Sequence, residues 1–118
     1  RAAGANRMQT ACNRLSPIRT GEAVITPGFD LPAKYVIHTA GPVWHGGDHD
    51  EEQLLRACYR NCLAIASVHG CGSIAFPLIS AGIYGYPKTE AQDVAEDEIQ
   101  IWLADTGMDL DVWLVLWP

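Results

Sequence analysis

The chain has 118 residues, enough for one domain and too few for two independent cores, since domains usually hold about 100–150 residues. Hydrophobic residues make up 48% and charged residues 19%, which excludes a disordered chain, and no apolar run approaches the ~20 residues of a bilayer span. Eight Lys and Arg against fourteen Asp and Glu leave a net charge of −6, which disfavours coating of a nucleic-acid backbone but allows a small phosphate held by backbone N–H groups.

In chain order, Ala2 to Leu15 reads as a short helix with an uneven stripe of Ala3, Met8, Ala11, Cys12 and Leu15, broken at Ser16-Pro17. Glu22 to Thr26 reads as a strand that ends in the turn chemistry of Pro27-Gly28-Phe29-Asp30-Leu31-Pro32, and Lys34 to Thr39 as a second strand. Their connection is too short for a parallel return, so the pair is expected to be antiparallel. Glu51 to Val68 carries Leu54, Leu55, Cys58, Cys62, Ile65 and Ala66 at helical spacing, with Glu51, Glu52, Arg56 and Arg60 off that stripe and Gly70 just past the end. The acidic residues of its first turn suit the macrodipole.

Ser73 to Ile79 is a mostly continuous apolar run, the pattern of a strand covered on both faces and central in its sheet. Thr89 to Ala104 reads as a helix with Ala91, Val94, Ala95, Trp102 and Leu103 inward, and Asp111 to Leu116 as a final strand. The alternation of strands and helices predicts an α/β fold: a three-layer α/β/α sandwich on a mixed, mostly parallel sheet, with residues 1–118 forming a single domain.

Ser80-Ala81-Gly82-Ile83-Tyr84-Gly85-Tyr86-Pro87 joins the buried strand to the helix after it. Open α/β sheets bind ligands beyond the carboxyl ends of their strands, and glycines there let a ligand approach the backbone closely. Consecutive N–H groups could cradle a diphosphate, and Tyr84 and Tyr86 could offer flat faces to a sugar or base. The same pattern also describes a glycine-rich turn with two packed tyrosines, so the residues alone leave both readings open. A bulky side chain at Gly82 is expected to block a ligand and to strain the turn.

Three blocks together resemble the macrodomain, and within it the MacroD-type branch: Thr20-Gly21-Glu22-Ala23-Val24-Ile25-Thr26, Leu31-Pro32-Ala33-Lys34-Tyr35-Val36-Ile37-His38-Thr39-Ala40-Gly41-Pro42, and Ile74-Ala75-Phe76-Pro77-Leu78-Ile79 running into the glycine loop. The resemblance covers nearly the whole chain. It implies binding of ADP-ribose or O-acetyl-ADP-ribose, partnership with mono-ADP-ribosylated proteins, and hydrolysis of O-acetyl-ADP-ribose or of mono-ADP-ribosyl adducts on acidic side chains. Carried over by position, Ser80, Ala81, Gly82, Ile83 and Tyr84 match the family's second phosphate loop, whose amides hold the diphosphate, and Tyr84 falls where an aromatic packs on the distal ribose. Ala81 departs from the Thr often found there, which removes a hydroxyl but keeps the backbone donors. Gly85, Tyr86 and Pro87 look structural, shaping the way into the helix.

The family opens with a strand bearing the adenine-recognising Asp, an Asn-Ala-Ala-Asn segment and a catalytic glycine-rich loop that ends in His-Arg-Ala-Ala-Gly. The chain begins at Arg1-Ala2-Ala3-Gly4, so the resemblance implies a macrodomain lacking the family's N-terminal part, with no catalytic residue of its own. Two functions compete: a hydrolase in its complete form, and a non-catalytic recognition module or inactive fragment.

The other polar clusters point elsewhere. Trp44-His45-Gly46-Gly47-Asp48-His49-Asp50 could offer three zinc ligands, but no fourth is fixed by spacing; a solvated loop is expected, with no metal and no cofactor. That third reading, a zinc-dependent hydrolase, rests on this loop alone. His38 reads as a core histidine with a backbone partner, His69 as a helix end, and Cys58, Cys62, Trp102 and Trp113 as core. Trp117 stays unassigned. Cys12, Cys58, Cys62 and Cys71 form no CxxC pair and read as reduced thiols of a cytoplasmic protein with no membrane partner.

Overall fold

The computed structural model describes residues 18–29 and 32–116. Its elements are β1 (Ala23–Pro27), β2 (Tyr35–Thr39), α1 (Glu51–Val68), β3 (Ser73–Pro77), α2 (Lys88–Thr106) and β4 (Asp111–Val115). The expected helix from Ala2 to Leu15 and Trp117 lie outside the described residues.

The strands form two pairs. β1 and β2 run antiparallel with Ala23 opposite Thr39 and Pro27 opposite Tyr35, as the short connection requires. β3 and β4 run parallel, Ser73 beside Asp111 and Pro77 beside Val115, with α2 as the crossover. The expected mixed sheet is thus present, among the described residues, as one antiparallel and one parallel pair. Between the pairs lies a groove of about 1080 Å³, walled by β2 and β3 and reaching Cys62 and Ala66 of α1.

Helix α1 holds the pairs in place. Leu55, Cys58, Tyr59, Cys62, Leu63 and Ala66 are buried along it, and the helix packs on β1, β2, β3 and α2. Because it has neighbours on two sides, its apolar stripe is broader than the spacing predicts and takes in Tyr59 and Leu63. Helix α2 buries Ala91, Val94, Ala95, Ile99 and Trp102 in the same core. Glu98 is buried there as well, beside Arg56 Nη1 at 3.5 Å and Arg60 Nη1 at 3.8 Å.

Two sequence expectations fail in this region. In β3 only Ile74 and Phe76 turn toward the core, while Ser73, Ala75 and Pro77 are exposed. In β4 Val112 and Leu114 turn inward and Trp113 is 66% exposed, so Trp113 is not part of the core formed by the described residues. A shared cause explains both: among the described residues the two helices cover one face of this pair, so side chains alternate with the strand period of two.

Tyr59 ties the core to the chain beyond β3. Its ring stands edge-on to Phe76 at 5.0 Å, its hydroxyl donates to the Pro77 carbonyl at 3.2 Å and it accepts from the Ile79 N–H at 3.0 Å. Burial pushes its hydroxyl pKa up to about 12, so it stays a neutral donor. Tyr59→Phe keeps the packing and orphans both backbone groups. We expect it to cost about 1–3 kcal/mol in urea unfolding, and a loss within error of zero would show that water takes over both bonds.

Candidate functional site

The loop from Leu78 to Pro87 leaves the carboxyl end of β3 and turns into α2, where the sequence places the ligand. Three bonds shape it: Ala81 N–H to Leu78 O at 3.3 Å, Gly85 N–H to Gly82 O at 3.0 Å, and Tyr86 N–H to Ser80 O at 3.0 Å. Ser80 sits at φ 68°, a left-handed conformation that costs a non-glycine residue about 1–2 kcal/mol. The turn that results leaves the N–H groups of Gly82, Ile83 and Tyr84 without an acceptor among the described residues. Three successive donors of this kind are what an anion requires.

The predicted site residues divide by exposure. Gly82, Ile83 and Tyr84 are exposed, whereas Ser80 and Ala81 are half-buried and Ala81 packs against the core. Ser80 Oγ is buried with no hydrogen-bond partner among the described residues. Tyr86, offered by the sequence as a second ligand face, is buried and meets Trp44 at 4.7 Å between ring centroids; only Tyr84 keeps a free ring face. The expectation of strain at Gly82 also needs correction. Gly82 does not have a positive φ, and a Cβ there would meet nothing within 4 Å among the described residues; the glycine that the turn requires is Gly85, at φ 78°. A Cβ at Gly82 would therefore disturb no described part of the fold.

The segment after β2 closes on this loop. A Cβ at Gly41 would lie 2.4 Å from Ser80 Oγ and 2.7 Å from Ile79 Cγ2, so the Ala40-Gly41-Pro42 turn comes this close only because it carries a glycine. Further on, the Trp44 N–H donates to the Tyr84 carbonyl at 2.8 Å.

Glu51, read from the sequence as an acidic residue of a first helical turn, off the apolar stripe, is fully buried. Its Oε2 accepts from the N–H groups of His45 at 2.8 Å and Gly47 at 2.9 Å, and its Oε1 from that of His49 at 2.5 Å. Desolvation works to raise its pKa, but the bonds from His45, Gly47 and His49 outweigh it and hold the carboxyl down at about 2. The usable signal lay in Gly46-Gly47, a few residues before the helix, since glycines let backbone amides converge on one acceptor.

The other singled-out groups stand apart from the loop. The His45 and His49 rings are 5.5 Å apart and exposed, and no cluster of three or more His, Cys, Asp or Glu among the described residues could hold a metal ion. His38 Nε2 meets Thr26 Oγ1 at 3.0 Å across the β1–β2 pair. His69 caps α1. Cys58 Sγ donates to Ala40 O at 3.3 Å, and burial pushes the Cys62 thiol up to about 12, so neither is a ready nucleophile.

Known proteins resemble this chain in sequence and in fold. The family model described as Macro domain matches residues 1–95. A macro domain-containing protein of Chlorobaculum tepidum is 54% identical over 105 residues, 89% of this chain and 60% of its own length. A protein of Salmonella typhimurium named O-acetyl-ADP-ribose deacetylase is 48% identical over 97 residues, 82% of this chain and 54% of its own. The Oceanobacillus iheyensis macrodomain solved with ADP superposes with a TM-score of 0.81 at 39% identity, over 96% of this chain and 59% of that one. The Trypanosoma brucei macrodomain in complex with ADP-ribose gives 0.83 at 36% identity, over 93% and 45%. The chain spans about 60% of the length of the first two curated relatives it matches.

The Glu51 carboxylate makes stability depend on pH. Its folded pKa lies below the ordinary value of 4.5, so its stabilising effect is complete above about pH 4.5 and is lost as the pH falls toward about 2. The melting temperature of Glu51→Gln should lie below that of the parent by a constant gap above pH 5, and the gap should close on acidification. A gap independent of pH would show that the acceptor is not an ionised carboxylate.

Proposed function

The chain belongs to the Macro domain family, and from that premise we propose that it binds ADP-ribose, with the loop from Ser80 to Tyr84 holding the diphosphate and distal ribose. The observation that carries this reading is the row of open N–H groups on Gly82, Ile83 and Tyr84 at the end of a strand. Backbone donors fixed in advance lose little entropy when they bind an anion, and they work without Lys or Arg. Tyr84, 42% exposed, can cover the ribose. Ser80 Oγ is a buried hydroxyl whose desolvation, about 1–3 kcal/mol, a ligand oxygen would offset.

We extend the reading to activity in the whole protein: hydrolysis of O-acetyl-ADP-ribose or of mono-ADP-ribosyl adducts on acidic side chains of partner proteins. Its support is the name of the Salmonella relative. The competing reading is recognition without catalysis. Release of acetate from O-acetyl-ADP-ribose separates the two. A reducing, cytoplasmic setting fits Cys58, Cys62 and Cys71 as free thiols, and no described helix is long and apolar enough to cross a membrane.

Calorimetric titration of ADP-ribose tests the binding reading. Gly82→Val should abolish the heat of binding without lowering the melting temperature, since the added methyls meet open space. Tyr84→Ala should weaken binding by about 1–3 kcal/mol, the range of aromatic stacking contributions. Unchanged affinity in Gly82→Val would remove the loop as the phosphate site.

A further inference from the structure

The buried carboxylate of Glu51 lies outside the binding loop, but contacts connect the two without a break. The segment from Trp44 to Asp50 holds three left-handed residues, Gly46 at φ 95°, Gly47 at φ 94° and Asp50 at φ 60°. Such a backbone keeps one shape only where something over-determines it. Glu51 does so by accepting three N–H groups from within the segment, at His45, Gly47 and His49.

The segment in turn fixes Trp44. The indole lies against Gly47, where a Cβ would come within 3.0 Å of the ring, and it also meets the buried Tyr86 ring. From that position the Trp44 N–H bonds the Tyr84 carbonyl at 2.8 Å, at the last of the three open amides. Tyr86 N–H closes the loop onto Ser80 O. Both ends of the loop are thus braced by residues that the Glu51 segment touches.

We propose that Glu51 is a positioning residue for ligand binding: through Trp44 it holds the Gly82–Tyr84 amides in the arrangement that receives an anion. The proposal rests on the ADP-ribose reading for its ligand and on the contacts alone for its mechanics. If releasing the brace lowers the competent fraction of the loop to about one tenth, the apparent dissociation constant rises about tenfold with no ligand contact removed.

The test compares the parent, Glu51→Gln and Glu98→Gln by amide hydrogen exchange and by ADP-ribose titration at a temperature where all three are folded. Glu98→Gln removes a buried carboxylate of α2 that is paired with Arg56, and so serves as a control for general destabilisation. Glu51→Gln should speed exchange at His45, Gly47 and His49 and also at Gly82 to Tyr86, and weaken ADP-ribose binding about tenfold or more. Glu98→Gln should change neither the exchange of that loop nor the affinity. Faster exchange confined to residues 45–49, or an affinity equal to the parent's, overturns the proposal. If Glu51→Gln does not fold, Gly47→Ala displaces the indole with the carboxylate left in place and should give the same exchange signature at 82–86; its absence overturns the proposal equally. If the parent itself binds no ADP-ribose, the functional reading fails while the exchange pattern still decides the brace.

Discussion

One face of α1 carries the described structure. The two strand pairs share no hydrogen bond, so their relative placement depends on a helix of 18 residues, about 27 Å long, that packs on both. Leu55, Tyr59 and Leu63 are fully buried along it, and side chains of this size contribute about 1.5–3 kcal/mol each when removed from water. That contribution also serves the site. Tyr59, near the middle of the helix, bonds the backbone on both sides of Leu78, and Glu51, at its first turn, gathers the segment that touches the other end of the loop. The helix therefore supports the loop from Leu78 to Pro87 from two points about two turns apart.

The loop meets an old difficulty in anion recognition. Free backbone amides attract a phosphate only if they point the same way, and an unsupported glycine-rich segment spends little time in such a state. In this chain the cost is divided. Ser80 accepts a left-handed φ, Gly85 takes the second left-handed position at no steric penalty, and Gly41 permits a neighbouring turn to approach closely enough to restrict both Ile79 and Ser80. Gly82, the residue that stands out in the sequence, bears none of this load. Its lack of a side chain leaves room in front of the amides, which the fold does not require and the proposed ligand would use.

The fold was largely legible in the residues because its signals are local. The α1 boundaries follow from acidic residues at one end and Gly70 past the other, and the antiparallel β1–β2 pair from a connection too short for anything else. What escaped was tertiary. Trp113 and Ala75 read as core because an apolar run gives no sign of which face a helix will cover, and the alternation in β3 and β4 appears only once both helices are seen on one side. Glu51 escaped for a different reason. A carboxylate at a helix start ordinarily belongs to solvent and the macrodipole, and nothing in its own position shows that three amides from the preceding six residues will converge on it. The loop's place was readable from the strand before it and the helix after it. Which of its tyrosines stays free was not, since that depends on Trp44, forty residues away in the chain from Tyr84.

The net charge of −6 takes on a definite meaning beside this site. An acidic surface repels a diphosphate at long range, yet the loop itself, from Ser80 to Pro87, contains no charged residue of either sign. Recognition by amide dipoles acts over a few ångströms and is blind to charge beyond the first layer of contact, so the repulsion affects the approach of the ligand more than its hold once seated. The same short range makes geometry decisive. A lysine could follow a misplaced phosphate on its flexible stem, but a backbone N–H cannot, so a site built from Gly82, Ile83 and Tyr84 is only as good as the bracing that fixes them. On the proposed reading, that dependence would give a buried glutamate and a tryptophan from a different loop a functional consequence, although neither would have to touch the ligand.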